Sequence, residues 1–114
     1  MREDARLRKT KDVRRVRQIG VSRGDRMFLV SAAASPTGRS RLAVSTPASL
    51  GGAVVRNRAR RRARAAFAPL LDELARASDL LVGVREGAVG APFADLQGSA
   101  REVLRAHGLL EKPL

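Results

Sequence analysis

Cysteine, tryptophan and tyrosine are absent from this chain of 114 residues, which contains three phenylalanines and a single histidine. The absence of cysteine excludes disulfide bonds and cysteine-ligated metals, and it makes the cytoplasm the simpler expectation for the location. A lone histidine makes no nucleophilic triad. His107 lies near the end of the last predicted helix, where a cation is favourable, so we expect a structural role for it. We therefore expect no catalytic residue and no metal ligand in the protein.

Long apolar segments are also missing. Residues 1–6 carry mixed charge and no apolar segment follows them, which argues against a secretory signal. No apolar stretch approaches the roughly 18 to 20 residues of a membrane-spanning helix. We expect no membrane partner.

Positive charge, by contrast, is abundant. Lysine and arginine number 23 against 11 aspartates and glutamates, which gives a net charge of +12 and a pI near 11.8. The imbalance lies in residues 1–64, which hold 18 of the basic and 4 of the acidic residues. Such an excess predicts a polyanionic partner. We expect the first half of the chain to bind it and the second half to act as scaffold.

The first predicted element is a short helix. Thr10 is expected to cap it, and the spacing of Val13, Val16 and Ile19 directs these side chains inward. Gly20 is expected to end the helix in the left-handed conformation.

Two strands are predicted next, at residues 26–34 and 41–45. The turn residues 35–38 between them favour a hairpin. A third strand within residues 43–50 is left open, because Pro47 cannot donate to a ladder. The inward face of the first strand is expected to consist of Phe28, Val30 and Ala32.

The rest of the chain predicts a helix from Val55 onward, a buried strand at 79–85 and a closing helix from Phe93 that ends at Gly108. The predicted order is αβββαβα, or one strand fewer without residues 43–50. Either order is a small α+β sandwich with helices packed on a central sheet. We expect one domain over residues 1–114.

The second helix carries the densest charge, with six arginines in the nine residues 56–64. Arginine presents a rigid fork of donors that matches phosphate oxygens. At about 100° per residue, four of these arginines fall within an arc of roughly 140° away from most of the apolar stripe. They are Arg56, Arg60, Arg61 and Arg64. For Arg58 and Arg62, at the rim of this arc, a solvated or intramolecular role competes with RNA contact, and Asn57 could act as a local backbone partner.

Other classes of protein would use a basic helix as well. A ribosomal or assembly protein would use it to bind RNA. A DNA-binding module is disfavoured, because few side chains on this helix could read bases and no helix-turn-helix partner is evident. A membrane-surface helix is disfavoured because the alanine-rich stripe is needed for the core.

One resemblance covers most of the chain. The run from Gly51 to Phe67, Gly-Gly-Ala-Val-Val-Arg-Asn-Arg-Ala-Arg-Arg-Arg-Ala-Arg-Ala-Ala-Phe, closely resembles the signature of the protein component of bacterial ribonuclease P. The segment from Leu7 to Asp12, Gly20, the Arg26-x-Phe28 strand start and Ser45 follow the order and spacing of this family. The resemblance extends over about residues 6–110.

The resemblance implies an α+β fold with a left-handed βαβ crossover, against the usual handedness of such units. It also implies a subunit that binds the ribonuclease P catalytic RNA and precursor tRNA and promotes endonucleolytic removal of the 5′ leader. The hydrolytic chemistry would belong to the RNA, with Mg²⁺ expected in the holoenzyme and no cofactor on the protein alone. DNA is not an expected partner. By match to the motif, the residues facing the catalytic RNA and the leader would be Arg56, Asn57, Arg58, Arg60, Arg61 and Arg64.

The family also has a cleft between the first helix and the sheet that accepts the single-stranded leader. Its members often line this cleft with aromatic residues, on which bases stack. The corresponding positions here are Val13, Arg17 and Ser31, with Phe28 in the same neighbourhood. Because Arg17 can stack its guanidinium plane on a base, the resemblance implies a more electrostatic contact with the leader.

Overall fold

A computed structural model describes residues 2–111 and contains three helices and four strands. In chain order they are α1 (Thr10–Ile19), β1 (Val21–Gly24), β2 (Phe28–Ala34), β3 (Arg41–Ser45), α2 (Ala53–Phe67), β4 (Ser78–Val84) and α3 (Phe93–Ala106). The predicted order αβββαβα is confirmed, but the additional strand is β1. Residues 43–50 supply no strand beyond β3, because Pro47 interrupts the backbone donors and Ala48–Leu50 forms a 3₁₀ turn.

The four strands form one sheet in the order β1-β2-β4-β3. β2 pairs antiparallel with both β1 and β4, whereas β3 pairs in parallel with β4. The predicted hairpin between β2 and β3 is therefore wrong. The apolar run of β4 is buried on both faces, and such a strand takes a central position, here between β2 and β3. The connection from β3 through α2 to β4 is a βαβ unit, and its left hand stays an implication of the resemblance.

The β1–β2 hairpin turns around Asp25. Its Oδ1 accepts hydrogen bonds from the backbone N–H groups of Met27 at 2.8 Å and Phe28 at 3.0 Å. Its Oδ2 accepts one from the hydroxyl of Ser99 in α3 at 2.5 Å. Burial raises the pKa of Asp25, but these hydrogen bonds and the charge of Arg85 outweigh it and leave the pKa below its usual value.

The main core lies between one face of the sheet and the helices α2 and α3. As the alternation predicts, Phe28 and Val30 are fully buried and Ala32 packs against the same cluster. The rings of Phe28 and Phe67 meet edge to face, with centroids 5.0 Å apart and an interplanar angle of 86°.

A much smaller apolar cluster lies between α1 and the other face of the sheet. It consists of Leu7, Val16 and Leu81, with partly buried Val13, Ala33 and Ala43 around them. Val13 and Val16 are thus directed inward as predicted, but Ile19 is 67% exposed, since it follows the last turn that packs on the sheet.

The predicted N-cap of α1 is wrong, whereas Gly20 ends the helix as predicted but not in the left-handed conformation. The N-cap is Lys9, without a side-chain hydrogen bond, and Thr10 is the first helical residue. Gly20 has φ −69°, which is not left-handed. Glycine fits here for another reason, because an added Cβ would lie 2.3 Å from the carbonyl oxygen of Val16. At the end of α3, Gly108 has φ +72° and ends the helix as predicted. Over residues 2–111, no helix combines the length and apolarity needed to cross a membrane.

Candidate nucleic-acid interface

The arginine-rich segment forms α2, as its apolar spacing predicts. Ala63, Ala66 and Phe67 are buried against the sheet. The helix ends at Phe67 and is followed by a 3₁₀ turn, Ala68–Glu73. Pro69 accounts for the break, because it cannot donate the hydrogen bond that would continue the α-helix. At the other end, Gly51 has φ +139°, a conformation that favours glycine.

Two of the predicted RNA-binding arginines are anchored to the end of β3. Arg56 donates from Nε and Nη2 to the carbonyl oxygen of Thr46, at 3.2 and 3.1 Å. Arg60 donates from Nη2 to Oγ1 of Thr46 at 2.6 Å and from Nη1 to Oδ1 of Asn57 at 3.0 Å. Thr46 is only 6% exposed, so it is a buried anchor for both guanidinium groups. These hydrogen bonds restrict the rotamers of Arg56, Asn57 and Arg60 before any ligand arrives.

Arg61 and Arg64 extend the same surface. With Val54, Asn57 and Arg60 they line an open concavity of about 500 Å³. Arg61 is exposed, whereas Nε of Arg64 is buried and has no hydrogen-bond partner among the described residues. We call the surface formed by Arg56, Asn57, Arg60, Arg61 and Arg64 the arginine face.

The positive charges on and beside the arginine face repel one another. Burial, followed by the charges of Arg6 and Arg60, lowers the pKa of Arg64 below its usual value. Arg6 belongs to the segment before α1, where it forms an isolated bridge with Leu42 of β3. Sequence reasoning missed both Arg6 and Thr46. No local spacing reveals them, because they reach α2 only through the pairing of β3.

Arg58 and Arg62 lie outside the arginine face. Arg62 donates to the carbonyl oxygens of Ala91 and Ala88, the latter at 3.5 Å, and so connects α2 to the loop before α3. The intramolecular alternative for Arg62 is confirmed. Arg58 is exposed beside an apolar groove that also contains Val54 and Val55.

The arginines of α2 have no acidic partners among the residues that the structure describes. Within residues 2–111, none of the six forms an ion pair with a carboxylate. Elsewhere, Arg39 lies 2.8 Å from Asp4, and Arg105 lies 2.6 Å from Glu102. The positive charge of the arginine face is therefore not neutralised within this part of the chain, which is the electrostatic condition for binding a polyanion.

The second predicted surface lies between α1 and the sheet. β2 directs Leu29, Ser31 and Ala33 toward α1, on the face opposite Phe28 and Val30. Arg17 is exposed on α1, and Ser31 is partly exposed and hydrogen-bonded through Oγ to Oγ of Ser22 at 2.8 Å. We call the surface formed by Val13, Arg17 and Ser31 the α1 cleft.

Phe28 does not belong to the α1 cleft, and its assignment there is wrong. It is 0% exposed and packs on Phe67 in the main core. The reason is the two-residue period of a strand, which places residues 28 and 31 on opposite faces of the sheet. Phe67 is also fully buried, and Phe93 begins α3. The described cleft therefore contains no aromatic side chain.

The single histidine lies where the end of α3 meets β2. His107 is the C-cap of α3, with Nε2 2.8 Å from the carbonyl oxygen of Val30. Burial lowers the pKa of His107, with support from the charges of Arg23 and Arg76 and against the effect of that hydrogen bond. The contact with the backbone of Val30 agrees with the structural role expected for His107, and the lowered pKa favours its neutral form. In residues 2–111, no three side chains of the types His, Cys, Asp or Glu are grouped closely enough to hold a metal ion.

Comparison with known proteins agrees with the resemblance. A family model described as Ribonuclease P matches residues 1–108. The ribonuclease P protein component of Chloroflexus aggregans is 40% identical over 114 residues, which cover 99% of this chain and 84% of that protein. The corresponding protein of Geobacillus kaustophilus is 33% identical, with 98% and 93% covered. A solved structure of a Staphylococcus aureus RNase P protein mutant with defective mRNA degradation activity has a TM-score of 0.84 at 28% identity, covering 95% of this chain and 92% of that one.

Proposed function

The chain belongs to the ribonuclease P protein family, and from this premise we propose that it binds the catalytic RNA and the 5′ leader of precursor tRNA to promote 5′ maturation. Membership itself implies a role in the ribonucleoprotein that processes tRNA. The proposed division of labour assigns binding and positioning to the protein. Bond cleavage, with its Mg²⁺, belongs to the RNA, and the complex acts in the cytoplasm.

The unneutralised arginine face carries this proposal. Arg56 and Arg60 are held by Thr46, so part of the entropy cost of ordering long side chains is met before RNA binds. Arg64 forms no ion pair among the described residues, and it lines the open concavity, where its guanidinium group can donate to a phosphate oxygen. A phosphate backbone placed here would also relieve the repulsion among Arg6, Arg60 and Arg64. We assign the catalytic RNA to this face.

The α1 cleft is the proposed site for the single-stranded leader. Without aromatic side chains, base stacking is limited to the guanidinium plane of Arg17. The wall opposite is made of small residues such as Ser31. Leader contact in this protein would therefore depend more on charge and on the fit of the backbone than on stacking, and it would be strongly dependent on salt.

Reconstituted cleavage tests the proposal. Cleavage of a precursor tRNA by a bacterial ribonuclease P RNA is measured at low Mg²⁺, with and without the protein, and with the protein alone. We expect the protein to raise the cleavage rate and to cleave nothing by itself. RNA binding without any change in cleavage would favour a generic RNA-binding protein instead. Cleavage at the leader junction by the protein alone would overturn the assignment of catalysis to the RNA.

A further inference from the structure

Asp79 is the one charged residue among residues 2–111 that is fully buried, with 0% exposure. It lies near the start of β4, on the face covered by α1. Its register partner on β3 is Arg41, which donates from Nε to Oδ1 at 2.8 Å and from Nη2 to Oδ2 at 2.7 Å. Arg15 of α1 donates from Nη2 to the same Oδ2. A buried carboxylate is tolerated only when such partners compensate for its lost hydration.

The contacts of Asp79 extend to three strands. Arg15 also donates from Nη1 to the carbonyl oxygen of Ala34 at the end of β2, at 3.2 Å. Asp12, one turn earlier in α1, lies 3.6 Å from Nη1 of Arg41. We call Asp12, Arg15, Arg41 and Asp79 the Asp79 network. Through it, α1 is connected to the neighbouring ends of β2, β3 and β4.

The apolar contact beneath α1 is too small to specify where the helix lies. Among residues 2–111, only Leu7, Val16 and Leu81 are buried there, whereas α2 and α3 share the main core. Apolar burial is also non-directional, while a bidentate arginine–carboxylate pair fixes distance and orientation. The Asp79 network therefore determines the placement of α1 more than its apolar side chains do.

We propose that Arg15, Arg41 and Asp79 are positioning residues for the leader, holding α1 at the separation from the sheet at which the α1 cleft accepts a single strand. This inference rests on the proposed function of the cleft. The residues act through Val13 and Arg17 of α1 and do not contact the leader themselves.

Charge and positioning make opposite predictions for Asp79→Asn. The substitution removes one negative charge and raises the net charge from +12 to +13. If electrostatic attraction alone governed binding, the leader would bind more tightly. If position governs it, the leader binds less tightly, because a neutral amide cannot hold both guanidinium groups and leaves them repelling each other.

Arg15→Gln is the milder variant, because the pair between Arg41 and Asp79 within the sheet remains intact. Arg14→Gln is its matched control, since Arg14 is exposed, lies in the same helix and loses the same charge. Arg15→Lys keeps the charge but not the two-point contact with Asp79 and the carbonyl of Ala34. Together these variants separate position from charge.

The experiment uses the holoenzyme reconstituted with a bacterial ribonuclease P RNA. Affinity is measured for a precursor tRNA with its leader and for the same tRNA without it. The ratio of the first affinity to the second gives the contribution of the leader. We expect Arg15→Gln to lower this ratio by between about 2-fold and about 30-fold relative to Arg14→Gln. Arg15→Lys should stay below wild type and Asp79→Asn should also be lowered. Affinity for the ribonuclease P RNA, which reports the arginine face and the fold, should change little in Arg15→Gln.

Other outcomes would overturn the inference. Equal ratios for Arg15→Gln and Arg14→Gln would mean that the Asp79 network does not position the leader. Full recovery in Arg15→Lys would mean that only the charge of residue 15 matters. Tighter binding of the leader by Asp79→Asn would mean that net charge, and not the position of α1, governs the contact. If Asp79→Asn also loses affinity for the ribonuclease P RNA, its fold is compromised. The result for Arg15→Gln then decides between positioning and charge. A ratio of one for the wild-type protein would instead refute the proposed leader function itself, and this measurement needs no variant.

Discussion

Arg61 and Arg62 are adjacent in α2, yet the structure assigns them opposite roles. Arg61 is exposed on the arginine face, while Arg62 is hydrogen-bonded to the loop that contains Ala88 and Ala91. Replacing either one by alanine lowers the net charge of +12 by one and makes the same change in helix propensity. The two variants are therefore a matched pair in which only the contacts differ.

The expected magnitudes follow from those contacts. If Arg61 contacts one phosphate, as proposed, Arg61→Ala should flatten the plot of log affinity for ribonuclease P RNA against log salt by about 0.7 to 0.9. An exposed ion pair, such as one between Arg61 and a phosphate, contributes up to about 1 kcal/mol. Its loss would lower the affinity for the RNA by up to about fivefold. The unfolding free energy of Arg61→Ala should stay within about 0.5 kcal/mol of wild type. Arg62→Ala leaves the carbonyl oxygen of Ala91 without its donor, while that of Ala88 keeps the backbone N–H of Ala91. The substitution should cost about 1 to 3 kcal/mol, or about 4 °C in Tm for each kcal/mol.

Salt-dependent RNA binding and thermal unfolding of both variants test this assignment. We expect Arg61→Ala to change binding and preserve stability, and Arg62→Ala to do the reverse. Equal changes in salt slope would mean that only net charge matters, and the geometric distinction would be refuted. A larger loss of slope in Arg62→Ala would contradict the placement of the arginine face.

Three further predictions concern the fold. Because the pKa of His107 is lowered on folding, the unfolding free energy should fall as the pH drops through about 6.5, and denaturant titrations at pH values of about 7.5 and 5.5 should find a smaller fall in His107→Gln. Asp25 has a lowered pKa, so the stabilisation it provides is complete above about pH 3.9 and is lost as the pH falls toward its folded-state pKa. Asp25→Ala should accordingly cost about 1 to 3 kcal/mol at neutral pH, with the difference from wild type shrinking in acid. Phe67→Ala removes the partner of the buried edge-to-face pair and should cost about 3 to 5 kcal/mol in a denaturant titration; a cost below about 1 kcal/mol would contradict its place in the core.

Local patterns in the sequence determined the elements that depend on near neighbours. The three- and four-residue spacing of Ala59, Ala63, Ala66 and Phe67 specifies an amphipathic α2, and the same period specifies α1 and α3. The alternation in β2 places Phe28 and Val30 on one face. The density of arginine in α2 predicts an anionic partner, because no nearby carboxylate in the chain neutralises it.

Only the tertiary structure decided which elements are neighbours. The hairpin predicted between β2 and β3 was wrong because β4, distant in sequence, lies between them and is buried on both faces. The alternation of β2 places Phe28 and Ser31 on opposite faces of the sheet. Only the packing of the helices decides that the face of Phe28 is the main core and that the face of Ser31 is covered by α1.

The roles of individual arginines depend on the same long-range pairing. Spacing on a helical wheel separates Arg61 from Arg62, but it does not reveal that Arg56 and Arg60 are held by Thr46. Asp79 reads in sequence as the polar start of an apolar strand. It becomes a buried anchor for Arg15 and Arg41 because parallel pairing brings β3 beside β4 and α1 covers that face. Charge and periodicity are local properties of a sequence, whereas the partner of a buried polar group is set by strand order and helix packing, which join residues far apart in the chain.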